Sequence, residues 1–230
     1  MQLLQGFLLS SIRYGDQDVV LHFFTKENGF DTFFARNVYA RKNRKKPYLF
    51  PLNELRLSLV HSSHSGSMKT VSTLEPAAEI RQEFDVRAGT VMFFVAEFLN
   101  RILRNENASE AIYEEISVFR NHLGHHNFNA HLIFLIRLMK ILGHMPLVSS
   151  QPYLNPEDAE FSAEIQHHTF TEEISAFWRD ILMSERPYDE ILIPPASRKK
   201  LLDSILVYCF YHIPEFRVPD SLEIIQQIFE

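Results

Sequence analysis

Six cations crowd a short stretch near the start of the chain: Arg36, Arg41, Lys42, Arg44, Lys45 and Lys46, with no acid among them. Tyr39 and Tyr48 flank the densest part. Side chains of these types at this spacing suit a polyphosphate backbone, the cations taking phosphates and the rings stacking on bases. A solvated loop whose charges aid solubility is the plainer alternative, and a grip on an acidic protein partner is a third. The stretch runs against its surroundings. The chain carries 23 Lys+Arg and 29 Asp+Glu, net -6; residues 1–80 hold 10 and 7, residues 81–230 hold 13 and 22. A cationic patch set into an acidic chain is a directed electrostatic feature.

Two further clusters lie downstream. Arg198, Lys199 and Lys200 fall in the first turn of an expected helix capped by Ser197. Cations there oppose the helix dipole, so the placement fits either a phosphate contact or a solvated face. Arg137, Lys140 and His144 recur at three and four residues along an apolar helix, as a cationic stripe beside apolar surface. Snorkelling side chains account for the stripe, and so does a groove for a short acidic tail ending in an apolar residue and a carboxylate.

Several chemistries are excluded or unsupported. Only 7 glycines occur, and no Gly-rich phosphate loop is among them. A lone cysteine, Cys209, leaves no disulfide framework within the chain and no multi-cysteine zinc cage. His122, His125, His126 and His131 are close enough in sequence to raise the question of a metal. No Asp or Cys joins them, however, and they read as imidazoles at a helix end and on the surface. Glu114-Glu115 and Glu172-Glu173 are adjacent pairs, which point to different sides of a helix and not at one substrate. We therefore expect no catalytic residue, no metal and no cofactor. The first residues lack the basic region of a secretory signal, and the longest apolar runs are far too short to span a membrane, so a cytoplasmic location is expected.

The elements that must position these residues change period along the chain. Val19, Leu21 and Phe23 alternate with Asp18, His22 and Phe24; Asn28-Gly29 marks a hairpin; Leu55, Leu57 and Leu59 alternate with Glu54, Arg56 and Ser58. With residues 3–12 and 68–74 this makes five short strands, which suit a small closed barrel of the OB type. From about residue 75 the period becomes 3.6. Helices are expected with Val91, Phe94, Val95 and Phe98 on one face, with Ile112, Ile116 and Phe119 after a Ser109 cap, and over residues 130–142, ended by Gly143 and Pro146. Others follow Thr171 and Ser197, and a last one starts at Asp220 with Glu223 placed for a capping box. The fold class is α+β, β then α: an OB-like five-stranded barrel over 1–78 packed on a helical domain over 79–230. Residues 148–168, polar and carrying Pro152 and Pro156, are expected to be an irregular excursion.

In this order the parts resemble the RecO family of bacterial recombination mediators. Tyr14-Gly15-Asp16, then residues 21–25 and Glu27-Asn28-Gly29, resemble the family's opening. Where the family carries a Lys-Gly pair, a basic run and a Leu-Gln-Pro, this chain reads Arg36-Asn37, residues 41–46, and Leu49-Phe50-Pro51 at the same spacing. The run from Leu135 to Leu142-Gly143-His144 resembles the family's helix ending in Leu-Gly-Tyr. The resemblance implies a non-enzymatic protein of the cytoplasm and nucleoid. It would bind single- and double-stranded DNA, anneal complementary strands and, with RecR, load RecA onto strands coated by the single-strand-binding protein. It also implies contact with that protein's acidic C-terminal tail. There are departures. Many members carry a four-Cys zinc module where residues 148–168 stand, and none of those residues is cysteine. Asn37 replaces a permissive glycine, and Tyr39 stands where a basic residue is usual.

Overall fold

Alternation of apolar and polar residues builds the first part of the chain into strands with one face turned inward. The computed structural model describes residues 2–40, 45–60, 68–77 and 85–228. Strands β1 (Gln2–Tyr14), β2 (Asp18–Thr25), β3 (Gly29–Ala35), β4 (Glu54–Leu59) and β5 (Lys69–Pro76) close into a barrel in the order β1-β2-β3-β5-β4. β4 returns to pair with β1, and every pairing is antiparallel except that of β3 with β5. This is the five-stranded OB-like barrel expected from the sequence. Leu8, Leu21, Phe23, Phe33, Leu55 and Leu57 fill its interior, with the Phe23 and Phe33 rings edge to face at 5.8 Å. A register shift between Leu8 and Ser10 bends β1, as strands at barrel corners do.

The helices follow: α1 (Val86–Ile102), α2 (Glu110–Gly124), α3 (Ala130–Ile141), α4 (Glu172–Met183), α5 (Pro195–His212) and α6 (Leu222–Ile228). Ser109 caps α2 through its hydroxyl, which accepts from the Ile112 N–H at 3.4 Å, and Thr171 caps α4 in the same way. Every α3 residue from Ala130 to Met139 except Arg137 is buried, as the all-round apolar pattern requires. Gly143, at φ +79°, ends α3 in a Schellman motif: its N–H bonds to the Lys140 carbonyl, and the His144 N–H to that of Met139. By its contacts the chain forms two units, residues 1–113 and 114–230, so α1 and the start of α2 group with the barrel. Among the described residues no helix is long and apolar enough to cross a membrane.

Three expectations need correction. α5 begins at Pro195, with Pro at the first helical position, where its missing N–H costs nothing. Ser197 therefore lies inside the first turn and its hydroxyl bonds to Glu173 instead of capping. α6 begins at Leu222, two residues after Asp220. Residues 148–168 are not irregular throughout: they hold a short hairpin, β6 (Tyr153–Asn155) with β7 (Glu160–Ser162). Leu154 and Phe161 bury on the unit, and Arg179 of α4 braces the hairpin. Its guanidinium donates to the carbonyls of Ser149 and Gln151 and lies 4.5 Å from the Phe161 ring centre.

Candidate nucleic-acid interface

The β1–β2 turn and the end of β3 meet at one end of the barrel, and there the basic stretch begins. Arg36 and Asn37 are exposed. Asn37 takes the left-handed conformation, φ +57°, with its N–H on Asp18 Oδ1 at 2.8 Å. Asn tolerates that region better than most residues, so the turn holds its left-handed conformation without a glycine. The buried Val38 pins the turn, and the Tyr39 N–H bonds to the Gln17 carbonyl at 2.9 Å. Tyr39 and Tyr48 are half-buried and pack against the barrel core, so neither ring stands wholly in solvent. Lys45 crosses to β5, its Nζ donating to the Ser72 carbonyl at 3.1 Å. Lys46 is exposed in a short 3-10 turn, Lys46–Tyr48. Arg41, Lys42 and Arg44 lie outside the described residues.

Two side chains that the sequence reading passed over belong to this end. The Arg13 guanidinium lies 5.3 Å from the Tyr39 ring centre, within cation–π reach, and donates to the Asp16 carbonyl at 2.8 Å. Tyr14 is 63% exposed and meets the Phe34 ring edge-on at 5.7 Å. The pair Arg13-Tyr14 directly before the Gly15-Asp16 turn was the available signal, since a strand end beside a turn presents both its faces near solvent.

The outer face of the sheet differs between its two ends. Toward the β2–β3 hairpin it is covered. Phe7 and Phe24, paired across β1 and β2, are fully buried, and Tyr113 of α2 lies 4.7 Å from Phe7. The Tyr113 hydroxyl donates to Glu54, which also accepts from Gln5, so its own proton is held well above the ordinary tyrosine range by burial and by that carboxylate. The Phe30 N–H reaches the Glu106 carbonyl at 3.0 Å. Burial lowers the His22 pKa at this end, and the charge of Arg104 adds to the effect. Toward the β1–β2 turn, Ile12 and Tyr14 on the same face are exposed among the described residues.

The other two clusters are in the second unit. Because α5 starts at Pro195, Arg198, Lys199 and Lys200 occupy its second turn instead of its first. Arg198 Nε donates to Asn129 Oδ1 at 2.7 Å and is half-buried, which lowers its pKa; Lys199 and Lys200 are exposed. Arg137 donates to the Arg186 carbonyl at 2.6 Å and lies 4.8 Å from the Tyr188 ring centre, while Lys140 Nζ donates to the Leu182 carbonyl at 3.0 Å. Both cations thus serve the negative end of α4 and the loop after it. The carbonyl of His144, the third of the stripe, accepts from the Tyr208 hydroxyl at 2.8 Å. The clustered histidines are drawn apart in environment. His131 is buried in α3 and burial pushes its pKa down to about 3, whereas the His122 ring stacks on Tyr188 at 4.9 Å and bonds to Asp189. Among the described residues no group of three or more His, Cys, Asp or Glu could hold a metal ion.

Comparison with known proteins addresses the same two parts. The family model described as Recombination protein O N terminal matches residues 1–79, which span the barrel. Over 233 residues the chain is 26% identical to DNA repair protein RecO of Flavobacterium psychrophilum and 24% identical to that of Flavobacterium johnsoniae, covering 98% of each protein. DNA repair protein RecO of Phocaeicola vulgatus is 26% identical over 237 residues, 97% of each chain. With the barrel matched by the family's N-terminal model and the helices aligned along with it to full-length RecO proteins, this chain is similar to the RecO family along nearly its whole length.

Proposed function

We propose that the protein is a DNA repair and recombination mediator of the cytoplasm and nucleoid, acting by binding and not by turnover. It holds single- and double-stranded DNA, anneals complementary strands and, with RecR, helps RecA onto strands coated by the single-strand-binding protein. The observation that carries this reading is the end of the barrel where Arg13 lies over the Tyr39 ring and Arg36 and Lys46, both exposed, bracket the basic run in sequence. The names of the relatives support it. Among the described residues nothing at this end is arranged to read base edges, so affinity should vary little with sequence and strongly with salt. Each phosphate contact on a single strand contributes about -0.7 to the slope of log affinity against log salt. Replacing Arg41, Lys42 and Arg44 together by Ala should flatten that slope by roughly 2. A salt titration of oligonucleotide binding for wild type and the triple variant measures it. An unchanged slope at unchanged affinity would make the run a solvated loop and move the search to Arg198, Lys199 and Lys200.

The second part of the proposal concerns the partner protein. Arg137, Lys140 and His144 are offered to the acidic tail of the single-strand-binding protein. Arg137 and Lys140 each spend donors on α4-end carbonyls, and both side chains have further N–H groups with which to meet a carboxylate. A tail peptide is expected to bind at micromolar strength or weaker and to lose affinity without its last residue. Charge reversal at Lys140, the exposed member, should weaken binding about tenfold. Unaltered binding by a folded Lys140→Glu protein would place the tail elsewhere.

A further inference from the structure

We propose that the open half of the outer barrel face is a base-stacking platform that makes the protein favour single strands over duplex. The inference rests on the DNA-binding reading above and assigns it residues that the basic run does not include. Tyr14, Ile12, Val20 and Phe34 come together by register. Ile12 lies opposite Val20, Val20 opposite Phe34, and Tyr14 opposite Asp18, all on the side of the sheet away from the barrel core. Side chains two apart on a strand share a face, so the set is one continuous strip across three strands. Its members at the edge are in solvent, Ile12 54% and Tyr14 63% exposed, while Val20 and Phe34 are half-buried beneath them.

The same rows at the other end of β1, β2 and β3 show what this sheet does with apolar outer residues when the fold has a use for them inside. Phe7 and Phe24 are there driven to zero exposure under the residues around Tyr113. The strip at Tyr14 has no such cover among the described residues, and an uncovered apolar strip marks an interaction surface. Its neighbours decide the class of occupant. Arg36 leaves the end of β3 two residues after Phe34, and Arg13 lies beside Tyr14 on β1. The acid nearest in register, Asp18, already accepts from the Asn37 N–H. An apolar strip with cations at its rim matches a polymer that has flat apolar faces on an anionic backbone.

Single-stranded nucleic acid has that form. In a duplex the base faces are already stacked on one another and only phosphates are presented, so the platform would add nothing to duplex affinity. Tyr14 carries the largest share, because its ring is the most exposed of the aromatic rings in the described barrel strands and is steadied by Phe34. One lost base stack corresponds to about a 5- to 150-fold loss of affinity.

The test uses the whole protein with three probes of equal length: an oligo-dT strand, the same strand with abasic sites throughout, and a duplex. Tyr14→Ala is expected to lose about tenfold on oligo-dT and under about twofold on the abasic strand and the duplex. Tyr14→Phe should restore binding. Tyr14→Lys adds a cation and removes the ring, so it should still bind oligo-dT more weakly than wild type does. Equal losses on all three probes, no loss on oligo-dT, or tighter oligo-dT binding by Tyr14→Lys would each overturn the platform while leaving the electrostatic DNA-binding reading intact. Failure of wild type to bind any of the probes would overturn both.

Discussion

Gly29→Ala is expected to cost the barrel about 3 kcal/mol or more, far beyond the usual price of a surface substitution. Gly29 opens β3 at φ +75°, a conformation that L side chains rarely adopt. The chain also passes close above it. A Cβ there would stand 2.3 Å from the Asn107 carbonyl carbon and 2.4 Å from the Glu106 oxygen. Those are backbone atoms, and the adjacent Phe30 N–H to Glu106 bond at 3.0 Å fixes them in place. Gly15 provides the control. It too has positive φ, +58°, but nothing lies within 4 Å of a Cβ. Gly15→Ala should therefore lose only the left-handed penalty of about 1–2 kcal/mol. In a protein of this size each kcal/mol moves the melting temperature by about 2–4 °C. Thermal unfolding followed by far-UV circular dichroism should then separate the two variants by several degrees. Equal melting temperatures would mean that residues 106 and 107 yield freely and the close approach contributes nothing.

Trp178→Ala should be the comparable loss in the second unit, at about 3–5 kcal/mol. The indole is fully buried on α4, its N–H donating to Ser204 Oγ at 2.9 Å. Tyr208 of α5 lies 4.7 Å from it and Phe170 lies 6.3 Å away on the other flank. Removing the ring leaves a cavity at the junction of α4 and α5 and strips both neighbours of their contact. Trp178→Phe keeps most of the volume. The Ser204 hydroxyl still donates to the Leu201 carbonyl, so the lost donor should cost only about 1 kcal/mol. Phe210→Ala, at a position 71% exposed on α5, should fall within about 0.5 kcal/mol of wild type. Urea unfolding of the three variants would show the ordering. A Trp178→Ala protein as stable as Phe210→Ala would contradict this account of the core.

The elements that the sequence displays most clearly are those whose cause is local. Strict alternation at Leu55, Leu57 and Leu59 sets the inward face of β4, and the Ser109 and Thr171 caps mark where α2 and α4 begin. The cationic run is visible in composition alone. What escaped depends on residues far away. Pro195 reads as a break but starts α5, because it falls in the first turn, where an N–H has no intrahelical acceptor. The hairpin at 153–162 has strands of three residues, too short for a period, and owes its order to Arg179 further along the chain. Tyr14 is the clearest instance. Whether an outer-face aromatic is core or surface is decided by where α1 and the residues up to Tyr113 lie over the sheet, so Phe7 and Tyr14, on one strand and both aromatic, end at opposite extremes of exposure.

The Arg179 brace holds residues 148–168 without any thiol, which bears on where an oxidant could act. A four-cysteine module in the place of residues 148–168 would have to be kept reduced and loaded, and its thiolates are the form that oxidants attack. Here that segment is held by a guanidinium, two carbonyls and a phenylalanine ring, none of which peroxide readily modifies. The chain's single cysteine, Cys209, is buried in α5, and burial pushes its thiol pKa well above the ordinary range, so it is protonated and shielded at once. Oxidative stress breaks DNA and inactivates exposed thiols in the same moment. No thiol takes part in holding this segment, and the one thiol of the chain is out of reach of solvent.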